Sequence, residues 1–368
     1  GNSGGGTQTA YLMSLDDRIK VAAPSCYIHR ESRELEKAPG DAEQNIYGQL
    51  AWGMEHADYL MMRAPAMPVI VCAATEDFFD INATWETFRY AKRMFTRLGY
   101  AERVDIMENA AKHNYNQLQR QSVVRWMARW LCGRDEAITE PEIKIFTAEE
   151  LRCSPKGQVM LMEGARTTYD LNADYEKELA QQRRQHWASE KPETLLNEVR
   201  SIIALRDMKD FPKLEVQPAG EQKLGKGQVE KLILKPEPGI YLPALLYRPE
   251  TVKPGQVVLY VNEAGKENTD FNALSGDGAM VLAVDIRGTG ETRQTKQKAA
   301  GEDIALDWED QMAAYALGRS YVGMRTEDVL VCARYAMDRT NAKQVRLIAE
   351  GSVGVPAFFL HPAEALHG

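Results

Sequence analysis

The sequence predicts an α/β protein: a mostly parallel sheet with helices on both faces, in two partial units joined by a helical connector. Three observations carry this. The unbroken apolar run over residues 68–74 (PVIVCAA) has the pattern of a strand buried on both faces. Segments with apolar residues at helical spacing alternate with such runs, as parallel sheets covered by crossover helices require. Between about 150 and 214 the alternation gives way to a stretch dense in Glu, Gln and Arg.

Residues 7–18 read as a helix on Ala10, Tyr11, Met13 and Leu15, followed by a strand over 19–26. After the 68–74 strand comes a helix over 84–99 with Phe88, Ala91, Phe95 and Leu98 on one face, Thr84 as its N-cap and Gly99 as its stop. A short strand over 103–107 leads to a helix over 116–131 carrying Val123, Met127, Trp130 and Leu131, closed by Gly133. The connector holds a charged helix over 173–190 and an amphipathic one that Pro192 opens, with Leu195, Val199, Ile202 and Ile203. Strands over 229–234 and 241–247 pair across a turn at Pro236 and Pro238-Gly239. Buried-type strands follow at 256–261 and 279–285, helices at 307–317 and 326–337, and a strand at 345–349 running into Glu350-Gly351-Ser352-Val353-Gly354. The organisation expected is 1–149, the back part of an α/β unit that starts at a Gly-Ser elbow; 150–214, a helical connector; and 215–368, the front part of a second unit. Opening on that elbow and ending on Phe358-Phe359-Leu360-His361, the sequence reads as a piece of a longer chain.

Composition narrows the function. Apolar residues are 44% and charged residues 27%, the balance of a globular protein; 45 Lys and Arg against 53 Asp and Glu leave a net charge of −8. With no basic stretch, a nucleic-acid partner is not expected, and no run of about 18 apolar residues suggests a membrane partner. The five cysteines are scattered, with no CxxC, so neither a zinc site nor a disulfide framework is expected. Asp285-Ile286-Arg287-Gly288-Thr289-Gly290 lacks both the GxGxxG spacing and the P-loop lysine, so no cofactor is expected either. Trp85, Trp126 and Trp130 fall on helices and read as core residues rather than sugar platforms.

The chemistry concentrates at Gly1-Asn2-Ser3-Gly4-Gly5, a G-x-S-x-G pattern followed at once by a helix. A serine on a tight strand-to-helix turn is strained, and neighbours without a Cβ relieve the clash. Such a turn exposes the hydroxyl and aims the next N–H, here that of Gly4, at a developing oxyanion. An acidic cluster, Glu76-Asp77-Phe78-Phe79-Asp80, follows the 68–74 strand, and His113 follows the next strand. The order Ser, acid, His is that of α/β-hydrolases, distinct from chymotrypsin and subtilisin. Of six histidines, His29 and His56 read as part of a polar insertion, His186 lies in the connector, and His361 and His367 lie at the end. His113 alone occupies a strand-to-helix loop on the unit of Ser3. The acid stays open among Glu76, Asp77 and Asp80 on these grounds, with Asp77 the first after the turn.

Gly1–Thr9 (GNSGGGTQT), Leu15-Asp16-Asp17-Arg18, Asp41-Ala42-Glu43-Gln44-Asn45 and Thr75-Glu76-Asp77-Phe78-Phe79-Asp80 together resemble acetyl xylan esterase-like α/β-hydrolases with tandem hydrolase domains. Pro243-Ala244-Leu245-Leu246-Tyr247, the 285–290 motif and Gly318–Arg325 (GRSYVGMR) extend the likeness into the second half. The resemblance implies serine-based hydrolysis of acetyl esters on plant polysaccharide such as xylan, without metal, with Asp77 as the triad acid, in a secreted or periplasmic setting. Two departures stand out. The strands and the second oxyanion donor that precede such an elbow are not in this sequence, so this stretch alone is expected to have little esterase activity. At the second elbow Gly351 holds the nucleophile's place and Ser352 comes one residue late, as an N-cap-like hydroxyl, so the second unit reads as degenerate, structural or glycan-contacting. The alternatives are a prolyl-oligopeptidase-type peptidase and a non-catalytic carbohydrate-binding or scaffold protein with a relict triad.

Overall fold

A computed structural model describes residues 1–34, 44–293 and 308–359. Part of the 41–45 motif, and His361 and His367, lie outside them. The chain forms two compact units, residues 1–33 with 55–199, and residues 34–54 with 200–368.

The first unit carries α1 (Gly4–Leu15), all but the last residue of α2 (Glu31–Glu34), α3 (His56–Met61), β1 (Val69–Ala74), α4 (Ile81–Arg97), β2 (Val104–Asn109), α5 (Gln117–Cys132), α6 (Thr168–Ser189) and most of α7, which opens at Pro192 and runs to Ile202. β1 and β2 pair in parallel from Val69 opposite Val104 to Ala74 opposite Asn109, and all six residues of β1 are buried, as its unbroken apolar run requires. The expected strand over 19–26 is reduced to isolated parallel bridges, Ala22 with Val69 and Ser25 with Cys72. Pro24 brings no N–H to a ladder and Cys26 turns left-handed at φ 49°, which together prevent a regular strand. α5 covers one face of this sheet, with Trp126 packed among Val21, Ala23, Ile70 and Cys72. α4 is tied to the 22–29 segment: Thr84 and Thr87 donate through their hydroxyls to the carbonyls of Ile28 and His29, at 2.8 Å each. Thr84 is therefore not the N-cap. Asp80 is, its carboxylate accepting the Asn82 N–H at 2.9 Å.

The second unit contains β3 (Glu215–Leu224), β4 (Gly227–Lys235), β5 (Leu242–Arg248), β6 (Val257–Asn262), α8 (Phe271–Ser275), β7 (Met280–Val284), α9 (Trp308–Ala316), α10 (Tyr321–Thr340), β8 (Arg346–Glu350) and α11 (Gly354–Phe358). Its six-stranded sheet has the order β3-β4-β5-β7-β6-β8. The expectation of a mostly parallel sheet is corrected here: β3/β4, β4/β5 and β5/β7 are antiparallel, and only β6/β7 and β6/β8 are parallel. Short turns join β3, β4 and β5, and a short turn can only connect antiparallel neighbours. β3 has no sequence signal because every residue in it is exposed, so its pattern does not alternate. One face of the sheet packs on Val329, Cys332, Ala333 and Ala336 of α10, the other on Phe271 of α8.

Candidate active site

Ser3 sits between an extended residue and a helix. Asn2 bridges Ser25 in parallel, the Ser3 N–H donates to the Ser25 carbonyl at 2.9 Å, and α1 begins at Gly4. Ser3 itself has φ 56° and ψ −126°, a conformation few non-glycine residues adopt. The glycines have unequal roles. A Cβ on Gly1 would come within 2.2 Å of the Gly5 carbonyl oxygen, and one on Gly6 within 2.5 Å of the Ser25 carbonyl oxygen. Gly4 and Gly5 face open space, so the steric need falls on Gly1 and Gly6 rather than on the glycine two places after the serine. The Gly4 N–H lies in the first turn of α1, where amides have no intrahelical acceptor.

Asp77 and His113 are brought together from the loops that follow β1 and β2. The His113 Nδ1 lies 2.9 Å and 3.0 Å from the two Asp77 carboxylate oxygens. The Asp77 side chain is only 2% exposed, which strengthens a charge-assisted bond. With Nδ1 donating to Asp77, the neutral ring keeps its lone pair on Nε2. Among the described residues no hydrogen bond joins Ser3 to His113. Glu76 is exposed and Asp80 caps α4, so neither approaches the imidazole as Asp77 does. Phe78 stacks on His113 at 4.5 Å between ring centroids, and the buried Cys26 donates through its thiol to the Asn114 carbonyl at 3.5 Å.

Among the described residues, two groups place possible metal-ligand atoms within 4.8 Å of one another: Cys26 with Asp77 and His113, and His29 with Glu31 and His56. In the first, burial pushes the Cys26 thiol up, and that thiol already donates to the Asn114 carbonyl. The second was invisible in the sequence, where charged neighbours made His29 and His56 read as a polar insertion. The structure buries them, at 3% and 1% exposure.

At the second elbow Gly351 takes φ 80°, and a Cβ there would fall 2.5 Å from Glu263 Oε2. That same oxygen accepts the Ser352 N–H at 2.8 Å. The Ser352 hydroxyl caps neither the turn nor α11, contrary to expectation. The amide corresponding to an oxyanion donor is thus taken by the chain's own carboxylate. Arg287 of the 285–290 motif pairs with Asp328 at 2.6 Å and Glu237 at 3.0 Å, a structural role that needs no ligand.

No family model and no curated protein matches the chain. Solved structures of carbohydrate esterases are distantly similar over part of it. A Bacteroides fragilis protein assigned as an acetyl xylan esterase matches with a TM-score of 0.39 and 15% identity, over 46% of this chain and 48% of that one. The acetyl xylan esterase from Paenibacillus sp. R4 matches with a TM-score of 0.32 and 14% identity, over 46% and 55%. A family 15 glucuronoyl esterase from Caldicellulosiruptor kristjansonii matches with a TM-score of 0.30 and 16% identity, over 39% and 46%. The chain thus spans about half the length of each of these proteins.

Proposed function

We propose that the first unit is the serine-hydrolase part of a carboxylic-ester hydrolase, acting on acetylated carbohydrate. The observation that supports this most is the bond of the Asp77 carboxylate to His113 Nδ1 at 2.9 Å, on the unit whose Ser3 turns left-handed at a helix start. In the reaction, His113 Nε2 takes the Ser3 proton as Oγ attacks the ester carbonyl carbon. The Gly4 N–H faces the oxygen that gains charge, and Asp77 stabilises the imidazolium. The C–O bond to the alcohol then breaks, the alcohol leaves with the His113 proton, and water frees the acyl group by the same steps in reverse. A buried acid that accepts from the ring fits this cycle because the charge forms where water cannot stabilise it.

The test labels the full-length protein with a fluorophosphonate and compares acetyl esters with peptide substrates. Labelling of Ser3, lost in Ser3→Ala, together with turnover of acetyl esters but not peptides, is the expected result. Absence of labelling favours a scaffold with a relict triad; peptide turnover favours the peptidase.

A further inference from the structure

A second group of ionisable side chains lies buried beside the Asp77 loop. His29, Glu31 and His56 come from the segment leading into α2 and from the start of α3, and their side chains are 4%, 3% and 1% exposed. His56 Nε2 lies 3.2 Å and His29 Nε2 3.5 Å from the same oxygen, Glu31 Oε2.

The surrounding bonds assign the protons. The His29 backbone N–H donates to His56 Nδ1 at 3.2 Å, so His56 carries its ring proton on Nε2, facing Glu31. His29 Nδ1 lies 2.6 Å from the Tyr27 carbonyl, which only accepts, so a proton resides there. That leaves His29 Nε2 facing a carboxylate. Among the described residues, neither this nitrogen nor Glu31 Oε1 has a hydrogen-bond partner. An unpartnered ring nitrogen buried 3.5 Å from a carboxylate oxygen is costly while neither carries a proton toward the other, and a cation at that place removes the cost. A divalent metal is the rival occupant, but it would need the His56 Nε2 lone pair that the His29 amide denies it. A proton on His29 Nε2 needs no such change.

The group is mechanically joined to the candidate active site. Phe79 stacks on His29 at 4.8 Å with 20° between planes, Phe78 meets Phe79 at 4.6 Å, and Phe78 stacks on His113 at 4.5 Å with 24° between planes. Both phenylalanines follow Asp77 directly. The other ionisable groups packed around the cluster are Tyr27, whose ring lies 4.7 Å from His56, Tyr59 of α3, and Glu55, which accepts the Glu31 N–H at 2.9 Å.

We infer that His29, protonated on both ring nitrogens, forms a buried ion pair with Glu31 that His56 completes, and that this triad positions Asp77 and His113 through the Phe79–Phe78 stack. His29, Glu31 and His56 are positioning residues: none reaches Ser3. The inference about catalysis rests on the esterase reading; the inference about protons does not.

The experiment is NMR of the full chain with ring-15N histidine, each signal assigned by single substitution, alongside ester kinetics. The expected spectrum has both His29 nitrogens protonated and His56 protonated on Nε2 alone. Glu31→Gln and, without any change of charge, Phe79→Leu should both shift the His113 Nδ1 signal, whereas Glu31→Asp should restore it in part. In the kinetics, both variants should lower kcat by up to about 10²-fold with KM nearly unchanged, the signature of misplaced rather than missing groups. A singly protonated His29, a stoichiometric divalent ion lost in Glu31→Gln, or a His113 signal indifferent to Phe79→Leu would overturn the inference. If the full-length wild-type protein turns over no ester, the proposed function fails, while the ring signals still decide the triad.

Discussion

At the residue scale, the acid of the pair with His113 is distinguished by position within one short turn. Asp77 lies in the loop just after β1, where its carboxylate can be buried against the histidine loop, while Asp80 is three residues on and takes the α4 N-cap. Asp77→Asn should lower kcat by orders of magnitude, about 10⁴ being the scale for such a change in serine triads, with little effect on KM. Asp80→Asn, which keeps a capping oxygen, should leave kcat nearly intact. Steady-state kinetics of the two variants on an acetyl ester separate them, and the reverse pattern would move the acid to Asp80. The sequence pointed to both ends of this bond. It held no trace of the aromatic stack beside them, since two phenylalanines after a strand do not say which rings they will meet.

At the scale of elements, the start of α1 shows how a motif's glycines divide the work. Gly6 lies against the Ser25 carbonyl oxygen and the Tyr27 Cβ, neither of which is a flexible side-chain end. Gly6→Ala should cost about 1–3 kcal/mol as the helix is forced off the sheet. Gly5→Ala, into open space within the same helix, should instead be neutral or gain about 0.5–1 kcal/mol. Urea unfolding followed by tryptophan fluorescence measures both, and equal effects would show that α1 is not seated as described. The elements themselves were largely legible where they are buried or amphipathic: β1, β2, α4, α5, β6, β7 and α10 all have apolar patterns. The pairing of 22–25 and the exposed β3 were not legible as they stand, because one is broken by a proline and the other buries nothing.

At the scale of the whole molecule, Glu31 offers a pH signature of folding. Burial opposes its ionisation, but the His29 and His56 imidazoles facing it outweigh that and hold its carboxyl down at about 2, against an ordinary value of 4.5. A folded-state value below the unfolded one stabilises the fold in full above pH 4.5, and that contribution disappears as pH falls toward 2. The stability difference between the wild type and Glu31→Gln, from urea titrations at several pH values, should therefore shrink across that interval. A difference independent of pH would mean that Glu31 is not ionised against its histidines.

The sequence by itself determined the α/β class, the two Gly-Ser elbows and the succession of Ser3, an acidic cluster over 76–80 and His113, because each rests on local patterning: apolar periodicity, glycines at a strained turn, a polar residue just past a strand. Tertiary structure alone decided the rest. It set the antiparallel half of the second sheet, placed Glu263 on the second elbow across 89 residues, and buried His29 with Glu31 and His56 beneath a stretch that reads as polar. These are contacts between distant segments, and charged residues next to a buried one hide it from any pattern read along the chain.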